Sequence, residues 1–163
     1  MENQAKLSKT IGIVGLGLIG GSLGLDLQDL GYEVCGLVHR EKTAKKAKER
    51  GLAQVVSTNP RILSNCSVVI LALPISQLIK PEQKLINALP KKAVITDVGS
   101  VKKPILEIWG KLHPHFIGSH PMAGNEKGGV EAGQKHLFQN KTWITTPQMG
   151  TDQTSLNIVK QIA

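Results

Sequence analysis

The 163 residues are enough for one domain with a real core; 40% are hydrophobic and 20% charged, a balance that excludes a disordered chain. No apolar run approaches the roughly 20 residues of a membrane span, and the polar stretch from Met1 to Lys9 has no apolar segment of a secretory leader. The net charge of +8 invites nucleic acid, yet only 3% of residues are aromatic. Lys42, Lys45, Lys46, Lys48 and Arg50 are spread around one short helix, so no nucleic-acid or membrane partner is expected.

Strand and helix patterns alternate along the chain. Ile11-Gly12-Ile13-Val14 reads as a buried strand. Ile19, Leu23, Leu27 and Leu30 form an apolar stripe at helical spacing, and Gly31 ends that helix. Glu33 to Leu37 is a second strand, Glu41 to Arg50 a helix capped by Gly51, and Val55-Val56 a short third strand. Ser67 to Ala72 is a fourth, apolar and β-branched, ended by Pro74. Pro81 to Leu89 is a helix with Leu85, Ile86 and Leu89 inward. Ala93 to Thr96 is a fifth strand, and Pro104 suits the first turn of a helix reaching Leu112. Phe116 to Gly118 and Trp143 to Thr145 complete seven strands.

This order predicts a doubly wound α/β Rossmann sheet, mostly parallel, with right-handed crossovers. The expected organisation is a polar extension over 1–9, a nucleotide-binding domain over 10–150, and a further helix from 151. Thr151 or Asp152 caps that helix. Its stripe of Leu156, Val159 and Ile162 either has little left to pack against and leads into a further domain, the reading preferred, or docks on the sheet as an ordinary terminal helix. Cys35 and Cys66 are expected in buried strands as reduced thiols, and no Cys/His spacing suggests a metal; a cytoplasmic protein is expected.

In such a sheet, ligands bind beyond the carboxyl ends of the strands. Gly15-Leu16-Gly17-Leu18-Ile19-Gly20 joins the first strand to the first helix and reads as a phosphate cradle. Gly15 permits the turn, Gly17 admits the pyrophosphate to the backbone, and Gly20 lets helix and strand approach. After the second strand, where NAD enzymes place a carboxylate on the ribose, stand His39 and Arg40, with Thr43 close behind. A guanidinium there suits a 2′-phosphate, so NADP is the expected cofactor. Leu73 and Pro74, Asp97 to Lys102, and Ser119-His120-Pro121 are expected along the same crevice. Ser100 is expected near the nicotinamide. Asp97 is expected as a cap and Lys102 as a cation for substrate carboxylates. His120 is the expected base, its backbone restricted by Pro121; a neutral imidazole suits removal of a hydroxyl proton near pH 7.

Val14 to Ser22, Thr96-Asp97-Val98-Gly99-Ser100-Val101-Lys102 and His120-Pro121-Met122-Ala123-Gly124 together resemble the arogenate and prephenate dehydrogenases of tyrosine biosynthesis. Leu137-Phe138 and Trp143 to Pro147 continue the match, which is most similar to the short cyanobacterial-type enzymes. The resemblance implies oxidative decarboxylation of arogenate or prephenate with NADP. In that family, the histidine matching His120 takes the ring-hydroxyl proton, and the serine matching Ser100 supports it and the nicotinamide. It also implies a second, all-helical domain, outside these 163 residues, that pairs two chains and supplies an arginine for the substrate. A β-hydroxyacid dehydrogenase and a non-catalytic NADP-binding module are the other readings the glycine loop allows.

Overall fold

In the computed structural model, residues 10–163 are described, and the extension read at 1–9 lies outside them. The apolar runs become seven strands: β1 (Thr10–Val14), β2 (Glu33–Leu37), β3 (Val55–Ser57), β4 (Val68–Leu71), β5 (Val94–Asp97), β6 (Phe116–Pro121) and β7 (Trp143–Thr146). They form one sheet in the order β3-β2-β1-β4-β5-β6-β7. All pairs are parallel except β6 with β7. The order reverses between β1 and β4, and there the carboxyl ends open a crevice.

Strand alternation assigns side chains to two cores. Ile11, Ile13, Val34, Val68, Ile70 and Val94 point to one face. That face is covered by α1 (Leu18–Asp29), α2 (Glu41–Glu49) and α6 (Gln153–Ile162). Val14, Leu37, Val69, Leu71 and Ile95 point to the other. There they meet a 3₁₀ turn (Pro60–Leu63), α3 (Ile75–Leu78), α4 (Gln83–Ala88) and α5 (Lys103–Leu112). Trp109 of α5 is fully buried, stacks on Phe116 at 5.9 Å, and donates Nε1–H to the Leu78 carbonyl at 2.8 Å. No helix is long and apolar enough to cross a membrane among the described residues.

Four expectations need correction. The stripe of Leu156, Val159 and Ile162 is not left unpartnered: all three are buried in the first core, and α6 packs on β5, β6 and β7. The sheet extends far enough past β5 to supply that partner. Asp152 is the cap, accepting from the amides of Thr154 and Ser155. Cys66 lies in the turn before β4 rather than in a strand, and Cys35 of β2 is only half-buried; both are free thiols. The helix expected over Pro81 to Leu89 is shorter, α4 starting only at Gln83 and ending at Ala88, and an unexpected short helix, α3, precedes it directly after Pro74. Finally, β6 runs to Pro121, because β7 returns antiparallel and extends the ladder through His120↔Ile144 and Pro121↔Trp143.

Candidate active site

The glycine loop is built as its spacing requires. Gly15 has φ +91°, and a Cβ there would sit 2.4 Å from the Ala72 carbonyl oxygen. A Cβ on Gly20 would fall 1.8 Å from the Gly15 oxygen, so only glycine lets α1 start this close to β1. Gly17 differs: its conformation is extended, and no atom lies within 4 Å of a Cβ built on it. Its free side faces open space at the N-terminus of α1, where unpaired amides gather. That is the chemistry of an anion cradle.

The loop borders a cleft of about 890 Å³. Gly15, Leu16, Gly17, Leu18, Ile19 and Gly20 line it, with His39, Arg40 and Thr43 on one side and Leu73 and Pro74 on the other. Of the twelve residues expected to hold a dinucleotide, all but Ser100 are therefore brought together. Two carboxylates come near the basic end, and both are engaged. Glu41 accepts a hydrogen bond from the Thr58 hydroxyl, and Glu82 pairs with Lys84 at 2.8 Å. The residues present thus fit a dinucleotide, with guanidinium and imidazole at the adenosine end.

The second half of the site stands apart from this cleft. Val98 and Gly99 line it, but Ser100, exposed one residue further on, does not, and neither does His120. His120 sits within β6, half-buried, one strand beyond β5. Burial, then the charge of Lys102, hold its imidazole below the ordinary value of 6.5, while Asp97 opposes them. A neutral ring at pH 7 is the form a base needs.

Asp97 and Lys102 form a buried pair beneath His120. Asp97 has no exposed side-chain surface and Lys102 keeps 16% of its own. The carboxylate accepts from the Gly99 amide at 2.9 Å, the Ser119 amide at 3.2 Å and the Lys102 ammonium. An ionised carboxylate can accept all three. Burial pushes Asp97 up and Lys102 down, each against the other's charge. Lys102 also donates to the Ser119 carbonyl at 2.6 Å. Lys102, expected as a cation for substrate carboxylates, thus has two of its three donors engaged inside the domain. Asp97, expected as a cap, caps no helix: α5 starts after Lys102, and the carboxylate holds the Gly99 and Ser119 amides instead.

Sequence reasoning missed the strap from 123 to 142. Arg50 donates to the carbonyls of Val130 at 2.6 Å and Gly133 at 2.8 Å, and Lys46 pairs with Glu131. The Gln134 amide bonds Ser22 Oγ at 2.9 Å, and Lys135 pairs with Asp29 at 2.6 Å. These bonds bring Gly129 and Val130 into the wall of the cleft. The glycines of this stretch and the pair Gly21-Ser22 were the available signal: a Cβ on Gly21 would lie 3.3 Å from the Gly133 backbone.

Comparison with known proteins agrees with this geometry. The model of the prephenate dehydrogenase nucleotide-binding domain matches residues 23–163. Prephenate dehydrogenase of Bacillus subtilis is 32% identical over 98% of this chain and 44% of its own length. Arogenate dehydrogenase of Synechocystis superposes with a TM-score of 0.89 at 36% identity, over 94% of this chain and 55% of the other. The Aquifex aeolicus prephenate dehydrogenase, solved with hydroxyphenyl propionate and NAD+, gives 0.84 at 32% identity, over 94% and 55%. This chain spans about half the length of these relatives. A glycine cradle on a doubly wound sheet, His120 on the sixth strand and these likenesses lead to one conclusion: the chain belongs to the prephenate dehydrogenase family, matching its nucleotide-binding domain.

Proposed function

We propose that this domain binds NADP and supplies the base for oxidative decarboxylation of arogenate to tyrosine. The observation that carries the cofactor assignment is the basic end of the cleft. His39, Arg40 and Thr43 line it, and the nearby carboxylates of Glu41 and Glu82 are each held by a neighbour. A fork of N–H donors suits a 2′-phosphate, which an unpaired carboxylate would repel. The glycine loop holds the pyrophosphate on backbone amides.

When bound, the nicotinamide supplies the hydride acceptor. His120, neutral near pH 7, accepts the proton of the ring 4-hydroxyl as hydride leaves the same carbon. The ring carboxylate departs as carbon dioxide, its bonding electrons completing an aromatic ring. Aromatisation drives the reaction, so the protein chiefly positions the reacting groups. Ser100, on the exposed turn after Gly99, supports the imidazole and the nicotinamide in this reading.

Prephenate, whose side chain carries a keto group in place of the amine, is the second substrate the reading admits. It is favoured by the relatives of that name. With Lys102 committed to Asp97, groups outside this domain bind the substrate carboxylates. The proposal therefore includes a helical partner domain, pairing of two chains through it, and a cytoplasmic location.

The test offers arogenate and prephenate with NADP and NAD to the complete enzyme and follows reduced-nicotinamide absorbance. NADP with arogenate is expected to be fastest. His120→Ala is expected to lower turnover by about 10²–10⁴-fold, the usual worth of a positioned base, and to leave cofactor affinity unchanged. Normal turnover in that variant would overturn the mechanism.

A further inference from the structure

We infer that Lys102, held between the Asp97 carboxylate and the Ser119 carbonyl, is the positioning residue for His120. The inference deepens the dehydrogenase reading and rests on it for the role of His120. Its evidence is the geometry beneath that residue. Lys102 Nζ donates to Asp97 and, at 2.6 Å, to the carbonyl of the peptide that joins Ser119 to His120. The other side of Ser119 is fixed as firmly. Its amide donates to Asp97 Oδ1 at 3.2 Å, and its hydroxyl donates to the Asp97 carbonyl at 2.8 Å. Thr96 Oγ1, donating to the Ile117 carbonyl at 2.7 Å, lies 2.9 Å from the same hydroxyl.

These bonds do more than close a strand pair. The β5–β6 register runs only through Ile95↔Phe116 and Thr96↔Ile117. Beyond it, β6 turns to β7, and His120 sits where the parallel ladder has ended. The side chains of Asp97, Lys102 and Ser119 replace that ladder. They hold the chain just before His120, while Pro121 restricts it just after.

The arrangement is also electrical. Among the described residues, Lys102 and Asp97 are the charges that act on His120. The paired strand β7 carries none, and no charge of α5 or α6 contributes. The ammonium disfavours imidazolium, and the carboxylate behind it moderates the effect.

The two signs give the test. The imidazole of His120 is titrated by proton–carbon NMR in this chain, without cofactor or substrate, in the wild type and three variants. Lys102→Met is expected to move the His120 midpoint up, because the repelling charge is gone. Asp97→Asn is expected to move it down, because the carboxylate that opposes the ammonium is gone. Lys102→Arg is expected to keep the midpoint low. Loosening of the fold would shift the two neutralising variants the same way, toward the ordinary value. Shifts in one direction, or a midpoint indifferent to both, overturn the inference. Should Lys102→Met not fold, the downward shift in Asp97→Asn decides alone. A dehydrogenase reading that failed would leave these titrations unaltered, so the two failures are distinguishable.

Discussion

The glycines at 17 and 20 separate two requirements that a loop motif usually merges. At Gly20, an added Cβ would stand 1.8 Å from the Gly15 carbonyl oxygen and 3.0 Å from the Ala72 Cβ, and the nearer atom is backbone. Helix and strand must part to admit it. Overpacking of this kind costs about 1–3 kcal/mol, and a backbone clash belongs at the upper end. Alanine in a helix returns roughly 1 kcal/mol over glycine. Gly20→Ala therefore loses about 2 kcal/mol, which for a domain of this size lowers the melting temperature by roughly 4–8 °C. At Gly17, nothing lies within 4 Å of an added Cβ, and its φ of −79° suits alanine. Gly17→Ala is expected to melt within a few degrees of the wild type. The methyl instead stands where the pyrophosphate approaches. Displacing one charge-assisted bond costs about 1.5–3 kcal/mol, roughly a tenfold to hundredfold rise in Kd. Thermal melting without ligand and calorimetric titration with NADP read the two effects. A Gly17→Ala protein that binds NADP normally would show that the open side of Gly17 is not the phosphate site.

Further outcomes follow from the same geometry. Arg40→Asp is expected to weaken NADP by about 1.5–3 kcal/mol and to spare or improve NAD, measured by titration with both; equal wild-type affinities would remove the basis of the preference. Arg50→Met loses two bonds to the strap, so trypsin is expected to cut at Lys127 or Lys135 faster, and the Kd for NADP to rise, with Arg50→Lys intermediate. His113 is held below its ordinary value by burial, its Nδ1 accepting from the His115 amide and its Nε2 facing the Pro90 carbonyl. A depressed imidazole contributes stability above the unfolded value of about 6.5 and loses it as pH falls. Urea unfolding is therefore expected to show a midpoint falling below pH 6.5, less steeply in His113→Gln.

What could be read in the sequence was what one residue type decides locally. The strands β1, β2, β4 and β5 are apolar runs bounded by Gly, Pro or Asp, and their positions follow from hydrophobic pattern and turn chemistry. The glycine cradle and the basic end of the cleft were legible for the same reason. Each needs one backbone conformation or one charge at a fixed distance along the chain. What escaped depends on partners far away in sequence. Lys102 looks like a cation on a loop until the fold brings Asp97 and Ser119 to it. His120 looks like a residue beyond its strand until β7 arrives to extend that strand. The stripe of α6 looks unpartnered until β6 and β7 widen the sheet beneath it. The strap shows the same limit. Arg50 and Val130 are 80 residues apart, and the glycines of the stretch around Glu126 to Gly133 hint at close packing without naming α2 as its partner. These long-range contacts share a consequence. The glycine loop is one contiguous stretch between β1 and α1. The parts that aim His120 and wall the cleft form only when both ends of the domain have come together. Substitutions in the glycine loop should therefore act on binding or local packing, whereas those at Lys102 and Arg50 should act on geometry at a distance.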